Sequence, residues 1–341
     1  NVLWIFKGFF REEALFNLEV KASFLIFPLV FLFHRQIPVL LRMRALLAFV
    51  WGSLSFIVGS LAYAVFDFSS SLDPLAFTYS KLALWFHPTY LATYLAFSLL
   101  ITGWLDVKGV HLWGSRKFHH FVEIIMVLYI GLLASKAGYL SAMLAMLFVG
   151  LFWYRRRRTS FATVYLVVGT MLLSATVYFS PKSQSRFKEM VSAPATDQLT
   201  ENSKPFATGS TGMRVVAWKA SLELLMKHPL GVGTGDVTPE LVRIYQREGE
   251  HKVAEKQLNS HNQFLQAAVA FGWPGVLIVI ALMWFATTHA LRKKDFIFLG
   301  LIAIIGMNML FESFWELQAG VIFTAFWFCL LTRSEKALPH D

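Results

Sequence analysis

Residues 258–275 read LNSHNQFLQAAVAFGWPG, and within them a polar stretch of the chain gives way to a strongly apolar one. His261 and Asn262 stand at this boundary, and from Phe264 the sequence stays largely apolar to about residue 290. About 20 apolar helical residues cross a bilayer. The stretch therefore predicts a membrane-spanning helix that carries a titratable imidazole at its water-exposed start.

The composition of the whole chain agrees with this interpretation. Of the 341 residues 56% are hydrophobic and only 15% are charged, whereas soluble domains average about 25% charged residues. The net charge of +10 lies mostly in short clusters between apolar runs, so it indicates membrane topology rather than nucleic-acid binding. The single cysteine, Cys329, excludes a disulfide framework within the chain.

The apolar runs predict an all-α fold, a polytopic transmembrane helical bundle of about nine spans with one large helical loop. We place the spans near residues 20–34, 43–66, 87–105, 118–135, 138–154, 160–180, 262–290, 295–312 and 316–332. We expect three parts, namely N-terminal transmembrane helices over 1–180, the large loop over 181–260 and C-terminal transmembrane helices over 261–341.

Basic residues predict how these spans are oriented. Lysine and arginine cluster at every second connection, and the positive-inside rule then places all of the clusters on the cytoplasmic side. The clusters lie at residues 34–44, 108–117, 155–158, 292–294 and 333–336. The large loop therefore shares the outer side with the short connections 135–138 and 312–318, and with the turn at 67–87.

Helix signals in the large loop predict an ordered cap over the outer ends of the bundle rather than a linker. Ser210 or Thr211 can cap a helix over residues 213–227. Thr238 can cap a second helix, which Gly249 ends.

Two other conspicuous features carry no catalytic prediction. The glycine-rich run GVGTGD at 231–236 is predicted to lack both the preceding strand and the directly following helix of a dinucleotide-binding loop, so we interpret it as a chain reversal. His119 and His120 fall on the cytoplasmic side of the predicted topology.

Arg214 is the first residue of the large loop for which we predict a chemical role. It falls in the first turn of the predicted helix, where a cation opposes the helix dipole and an anion would offset the cost. Backbone N–H groups at a helix start together with a guanidinium suit a phosphate or diphosphate. The alternative is a solvated surface arginine without a specific partner.

His261 is the second such residue. Imidazole takes up protons near neutral pH, so His261 could act as a general base on a hydroxyl group. The alternative is a histidine at a helix start that bonds to nearby backbone. Asn262 could orient the imidazole ring or cap the helix. The histidines and acids of the chain have none of the common metal-site spacings, so we predict no metal site.

Two charged residues at the short outer connections complete the candidate set. Lys136 opposes the orientation signal, so it either snorkels to lipid phosphates or neutralises a bound diphosphate. Glu312 stands at the outer end of a span and could pair with Arg214 or Lys136, or simply mark the water interface.

In order and spacing, four sequence segments resemble the O-antigen ligase and polymerase superfamily of bacterial envelope glycosyltransferases. The segments are SKAG at 135–138, RVVAW at 214–218, HPLGVGTGD at 228–236, and SHNQFLQ with FGWPG within 260–275. The resemblance covers roughly residue 118 to the C-terminus. It implies a protein of the bacterial inner membrane with a periplasmic large loop and about twelve spans, so about three spans would precede Asn1.

The resemblance also implies a reaction and roles for individual residues. This family moves a glycan from undecaprenyl diphosphate to an acceptor hydroxyl, without a metal, cofactor or nucleotide-sugar. Arg214 matches the arginine that contacts the donor diphosphate, and His261 matches the histidine that activates the acceptor. Lys136 stands where the family often has arginine, which leaves its role open. The remaining residues that we assign are Arg186 for the diphosphate, and Asn262, Trp218, Tyr245 and Glu312 in support.

Several functions fit this resemblance. We favour a ligase, whose acceptor is the lipid A-core of lipopolysaccharide, because the HN-containing loop end and the single large loop look most like ligases. A polymerase would use another carrier-linked repeat as acceptor, and a protein-directed O-oligosaccharyltransferase would use protein. Outside the family, a transporter is the alternative, but the predicted spans hold few ionisable residues. Substrate lipids and membrane lipids are the expected partners.

Overall fold

The computed structural model describes residues 11–33, 36–191 and 209–333. Within these ranges the elements are helical, which confirms the predicted all-α fold. The chain start, His34, the end of the last basic cluster and residues 192–208 of the large loop lie outside the described residues. The α-helices are α1 (Arg11–Lys21), α2 (Ser23–Leu32), α3 (Val39–Ser71), α4 (Tyr79–Ala83), α5 (Pro88–Val107), α6 (Arg116–Leu132), α7 (Lys136–Arg155), α8 (Thr159–Phe179), α9 (Pro181–Val191), α10 (Gly209–Lys227), α11 (Val237–Arg247), α12 (His251–Glu255), α13 (Gln263–Lys293), α14 (Phe296–Phe311) and α15 (Gln318–Arg333).

Eight of the nine predicted spans each fall on one of these helices, and the first, near 20–34, falls on the end of α1 and on α2. In the described ranges, six helical segments are long and apolar enough to cross a membrane, and they contain α1 with α2, then α3, α5, α7, α8 and α13. The apolar helices α14 and α15 are shorter, and α6 has 17 residues and a polar first turn. The chain is therefore a multi-pass membrane protein, and the count of nine spans stays a prediction.

The described helices divide into two compact units. Unit 1 comprises Asn1–Phe33, Glu189–Thr288 and Asn308–Cys329, and unit 2 comprises His34–Lys188, His289–Met307 and Leu330–Asp341.

In unit 2, α5 is the central helix and is buried along almost all of its length. In the same unit, residues from two of the basic clusters contact an acidic and an aromatic side chain. Arg42 pairs with Asp295 at 2.7 Å, and the Arg155 guanidinium lies 4.1 Å from the centre of the Phe296 ring. These contacts bring the clusters at 34–44 and 155–158 next to the residues that follow the cluster at 292–294. The side of the membrane on which the five clusters lie stays a prediction.

In unit 1, α10, α11 and α12 pack around one apolar core with the first turns of α13. Its members include Ala217, Leu241, Tyr245 and Val269. The glycine-rich run follows the predicted chain reversal, since the N–H of Val232 donates to the carbonyl of Val269 at 2.8 Å. The core thus fixes the helices of the large loop against the start of α13.

The two helices of the large loop start at other residues than predicted, whereas the predicted end of the second helix is correct. Helix α10 begins at Gly209, so Ser210 and Thr211 lie inside it and do not cap it. Helix α11 begins after Asp236 instead of Thr238. Gly249 follows the end of α11 with a φ of 75°, which confirms its predicted role. The early start of α10 is compatible with its sequence, since serine and threonine are tolerated within a helix although they favour caps.

Helix α13 is kinked at Gly272, and we expect a substitution of this glycine to lower the stability of the fold strongly. Its φ of 68° and ψ of −157° are almost confined to glycine, and an added Cβ would lie 2.0 Å from the Pro229 carbonyl oxygen. We expect Gly272→Ala to destabilise the fold by at least ~2 kcal/mol, measured as a lower Tm of the purified protein in detergent. Gly59→Ala in α3 is the matched control, because an added Cβ there meets open space. Equal melting temperatures for the two variants would contradict this account of the kink.

Candidate active site

Three of the predicted residues meet at one buried carboxylate in unit 1. Glu312 follows the end of α14, and its side chain is 8% exposed. One carboxylate oxygen accepts from Nη2 of Arg214 at 2.6 Å, and the other lies 3.0 Å from Nδ1 of His261. The predicted pairing of Glu312 with Arg214 is present, and the carboxylate also holds the histidine.

Arg214 occupies a different position in its helix from the predicted one. Because α10 begins at Gly209, Arg214 lies in the second turn and not the first, so the helix start does not supply the predicted anion site at this residue. The positive charge is balanced by Glu312 instead. The Arg214 side chain is 19% exposed, so part of it remains accessible to a ligand.

Two buried donors on α10 add to the site. Nε of Arg214 and the indole nitrogen of Trp218 are buried without a hydrogen-bond partner among the described residues. The two residues are four positions apart, so they share one face of the helix. Unsatisfied buried donors are costly, so these two nitrogens mark a place where the described residues leave hydrogen-bonding capacity unused.

His261 is held in a strained backbone conformation by its neighbours. Its φ of 43° lies in the left-handed region, which is uncommon for a residue other than glycine. Its backbone N–H donates to Oδ1 of Asn259 at 3.0 Å, and the same oxygen accepts from the Ser313 hydroxyl at 3.2 Å. Because a carboxylate can only accept at Nδ1, the neutral form of this imidazole that fits the contact has its proton on Nδ1 and a lone pair on Nε2.

Amide side chains tie the start of α13 to the turn that carries Glu312. Asn262 caps α13, since its Oδ1 accepts from the N–H groups of Phe264 and Leu265 at 2.9 and 3.0 Å. Its Nδ2 donates to the Leu310 carbonyl at 3.0 Å. Gln263 accepts from the N–H of Trp315 at 2.6 Å. These bonds fix the distance between His261 and Glu312.

Tyr245 supports the site through the segment that precedes His261. Its side chain is buried in the core of unit 1, and its hydroxyl donates to the Leu258 carbonyl at 3.1 Å. Burial raises the pKa of this hydroxyl, so Tyr245 stays a neutral donor. It therefore anchors the segment that leads to His261.

Lys136 and Arg186 belong to unit 2, and their predicted roles stay predictions. Lys136 is the first residue of α7 and is half-buried, after Ser135, whose hydroxyl accepts from the Gly138 N–H at 3.2 Å. The Arg186 guanidinium lies 4.4 Å from the centre of the Tyr79 ring and donates to the Tyr79 hydroxyl. The start of α9 bonds to the last turn of α6, where the Ser183 hydroxyl donates to the Gly131 carbonyl at 3.2 Å.

Sequence reasoning missed Asn259, Gln263 and Ser313. The available signal was the run of polar residues around His261 and the serine that follows Glu312. Among the described residues, no three histidine, cysteine or acidic side chains are grouped so that they could hold a metal ion.

The fold and these residues define a multi-pass membrane protein with a Glu–His pair and an arginine at one buried site. Residues 121–280, just under half of the chain, match a family model described as O-antigen ligase. This stretch is therefore similar to the O-antigen ligase family, as the sequence resemblance predicted, and that family carries out ligase or polymerase-type glycan transfer in membranes. The matched range includes Arg214 and His261, and Glu312 lies beyond it. No curated protein matches the chain.

Proposed function

We propose that this protein is an O-antigen ligase-type glycosyltransferase of the bacterial inner membrane. It moves a glycan from undecaprenyl diphosphate to a hydroxyl of lipid A-core, with its active site on the periplasmic side. The observation that carries the proposal is the placement of Arg214 and His261 on opposite oxygens of the Glu312 carboxylate. One group suits an anionic leaving group and the other an acceptor hydroxyl.

His261 is the proposed general base. Its Nε2 removes the proton from the acceptor hydroxyl as the oxygen attacks the anomeric carbon. The bond between that carbon and the phosphate oxygen breaks, and the diphosphate leaves. Glu312 stabilises the imidazolium that forms, because it already accepts at Nδ1. A single displacement of this kind inverts the configuration at the anomeric carbon.

Arg214 is the proposed partner of the diphosphate. A guanidinium has five donors, and within the described residues Glu312 accepts from Nη2 of Arg214, so other N–H groups can bind the leaving oxygens. Fixed cations stabilise the charge that develops on the diphosphate, so the proposed reaction is independent of a metal. Lys136 and Arg186 are proposed as further cations for the donor.

The acceptor can be identified by analysing the lipopolysaccharide of a strain that lacks the gene. We expect lipid A without long glycan chains, together with accumulated carrier-linked chains, and expect the wild-type gene to restore the long chains. A single repeat on lipid A would identify a polymerase, and unchanged lipopolysaccharide would favour protein-directed transfer. Transfer of carrier-linked glycan by the purified protein, in chelator and without nucleotide-sugar, tests the reaction itself; no transfer there would contradict the proposal.

A further inference from the structure

Helix α13 changes its surroundings at the kink. Before Gly272, its residues Val269 and Ala270 are buried in the core that α13 shares with the helices of the large loop. After Gly272, the helix exposes large apolar side chains along its length. They include Trp273, Leu277, Ile278, Ile280 and Leu282. The kink therefore separates a part that packs against protein from a part that has the surface of a membrane helix.

The length of the second part places one edge of the bilayer at the kink. From Trp273 to Lys293 the helix has about 21 residues and a length of ~31 Å, which matches the ~30 Å of the bilayer hydrocarbon. Arg292 and Lys293 in the last turn mark the water interface at the far end. The other interface then falls at Gly272 and Trp273, and tryptophan is enriched at such interfaces. The first turns of α13 and the core of the large loop therefore stand outside the hydrocarbon.

The end of α10 is fixed at the level of the kink. The N–H of Trp273 donates to the Pro229 carbonyl at 3.0 Å. A Cβ added at Gly272 would lie 2.6 Å from the Cα of Leu230, so the two backbones are in contact. Helix α10 ends at Lys227, immediately before this segment. Its last turn therefore lies close to the edge of the hydrocarbon.

Apolar side chains cover the side of α10 that faces away from the core. Leu222 is 50% exposed, Met226 is 77% exposed, and Leu230, just beyond the helix, is 62% exposed. Leu222 and Met226 are four positions apart and share one face, whereas Leu224 of the core lies about 200° around the helix from Leu222. Lys219 is exposed on the same face as Leu222, one turn earlier. Contact between these apolar side chains and water is unfavourable, so the surface calls for a partner.

We propose that Leu222, Met226 and Leu230 form a membrane-contact surface through which the end of α10 inserts into the edge of the bilayer on the side of the large loop. The partner is membrane phospholipid, with acyl chains against the three apolar side chains and head-group phosphates within reach of Lys219. Apolar side chains beside a basic residue are typical of helices that lie in the membrane interface. The surface is continuous with the lipid-facing part of α13, because the segment after α10 bonds to Trp273.

The membrane-contact surface sets the height of the candidate active site above the bilayer. Arg214 and Met226 lie on the same helix, and 12 residues of helix are ~18 Å long. Arg214 is therefore held within ~18 Å of the contact with lipid. This inference is independent of the reaction that the site carries out.

A nitroxide label on Met226→Cys tests the contact in the full protein, in bilayers of phosphatidylethanolamine and phosphatidylglycerol. Cys329→Ala supplies the background, because Cys329 is the single cysteine of the chain. Electron paramagnetic resonance measures how often the label collides with oxygen, which concentrates in hydrocarbon, and with an uncharged nickel chelate, which stays in water. Arg243→Cys, at an exposed position of α11, is the matched control, and Leu277→Cys is the lipid-facing reference on α13.

We expect the ratio of oxygen to nickel collisions at position 226 to exceed that at position 243 by at least about threefold and to approach that at position 277. Equal ratios at positions 226 and 243 place the surface in water and overturn the proposal. Low collision rates with both reagents at position 226 mean that protein covers the surface, which overturns it as well. The measurement requires no glycan transfer, so a failure of the proposed function leaves its outcome unaffected.

Discussion

His261→Ala should lower the rate of glycan transfer at saturating substrates by about 10²- to 10⁴-fold, the usual contribution of a general base. The variant removes Nε2, the proposed proton acceptor, and leaves the Arg214–Glu312 pair in place. The measurement is transfer of a carrier-linked glycan by the purified protein. KM for the donor should change little, because the diphosphate is assigned to Arg214.

Two comparisons separate this loss from a general loss of structure. His251→Ala is the matched control, since His251 is an exposed histidine of the same loop, and it should retain full activity. Glu312→Gln keeps the shape of the carboxyl group but removes the charge that stabilises the imidazolium, so it should lose less than His261→Ala. Because the two groups act as one unit, the double variant should be no slower than His261→Ala. Full activity of folded His261→Ala would remove this residue from the mechanism.

The helices could be predicted from the sequence because their signal is local. Apolar runs of membrane length can be recognised directly in the sequence. Gly249 follows the end of a helix and Asn262 caps the start of another, as the chemistry of these residues suggests. The start of α10 could not be read in the same way, since Ser210 and Thr211 are compatible with a cap and with a helix interior. The predicted turn of Arg214 was therefore wrong.

The geometry of the site depends on contacts between distant parts of the chain. The sequence identified Arg214, His261 and Glu312 as candidates, but their common meeting point joins residues 98 and 51 positions apart. Asn259 and Ser313 are separated by 54 positions, and nothing in either local sequence indicates the pairing.

Arg214→Ala should lower kcat/KM for the donor by about 10²- to 10³-fold, as expected when a group that stabilises developing charge is lost. Arg214→Lys should restore part of the activity, because lysine keeps the charge but lacks the planar arrangement of donors. Arg243→Ala is the matched control, since Arg243 is an exposed arginine of α11 that pairs with Glu240. It should behave like the wild type in the same transfer assay.

The pairing of Arg214 with a buried carboxylate requires one more variant. Arg214→Ala leaves Glu312 without its cation, so lost activity could arise from a displaced His261 rather than from a lost contact to the donor. Arg214→Ala/Glu312→Gln removes the cation and the charge together. If Arg214 serves only to neutralise Glu312, this double variant regains the activity of Glu312→Gln. If Arg214 binds the diphosphate, as we propose, the double variant stays at least tenfold below Glu312→Gln and its KM for the donor remains high, because no substitution at position 312 replaces the lost phosphate contact.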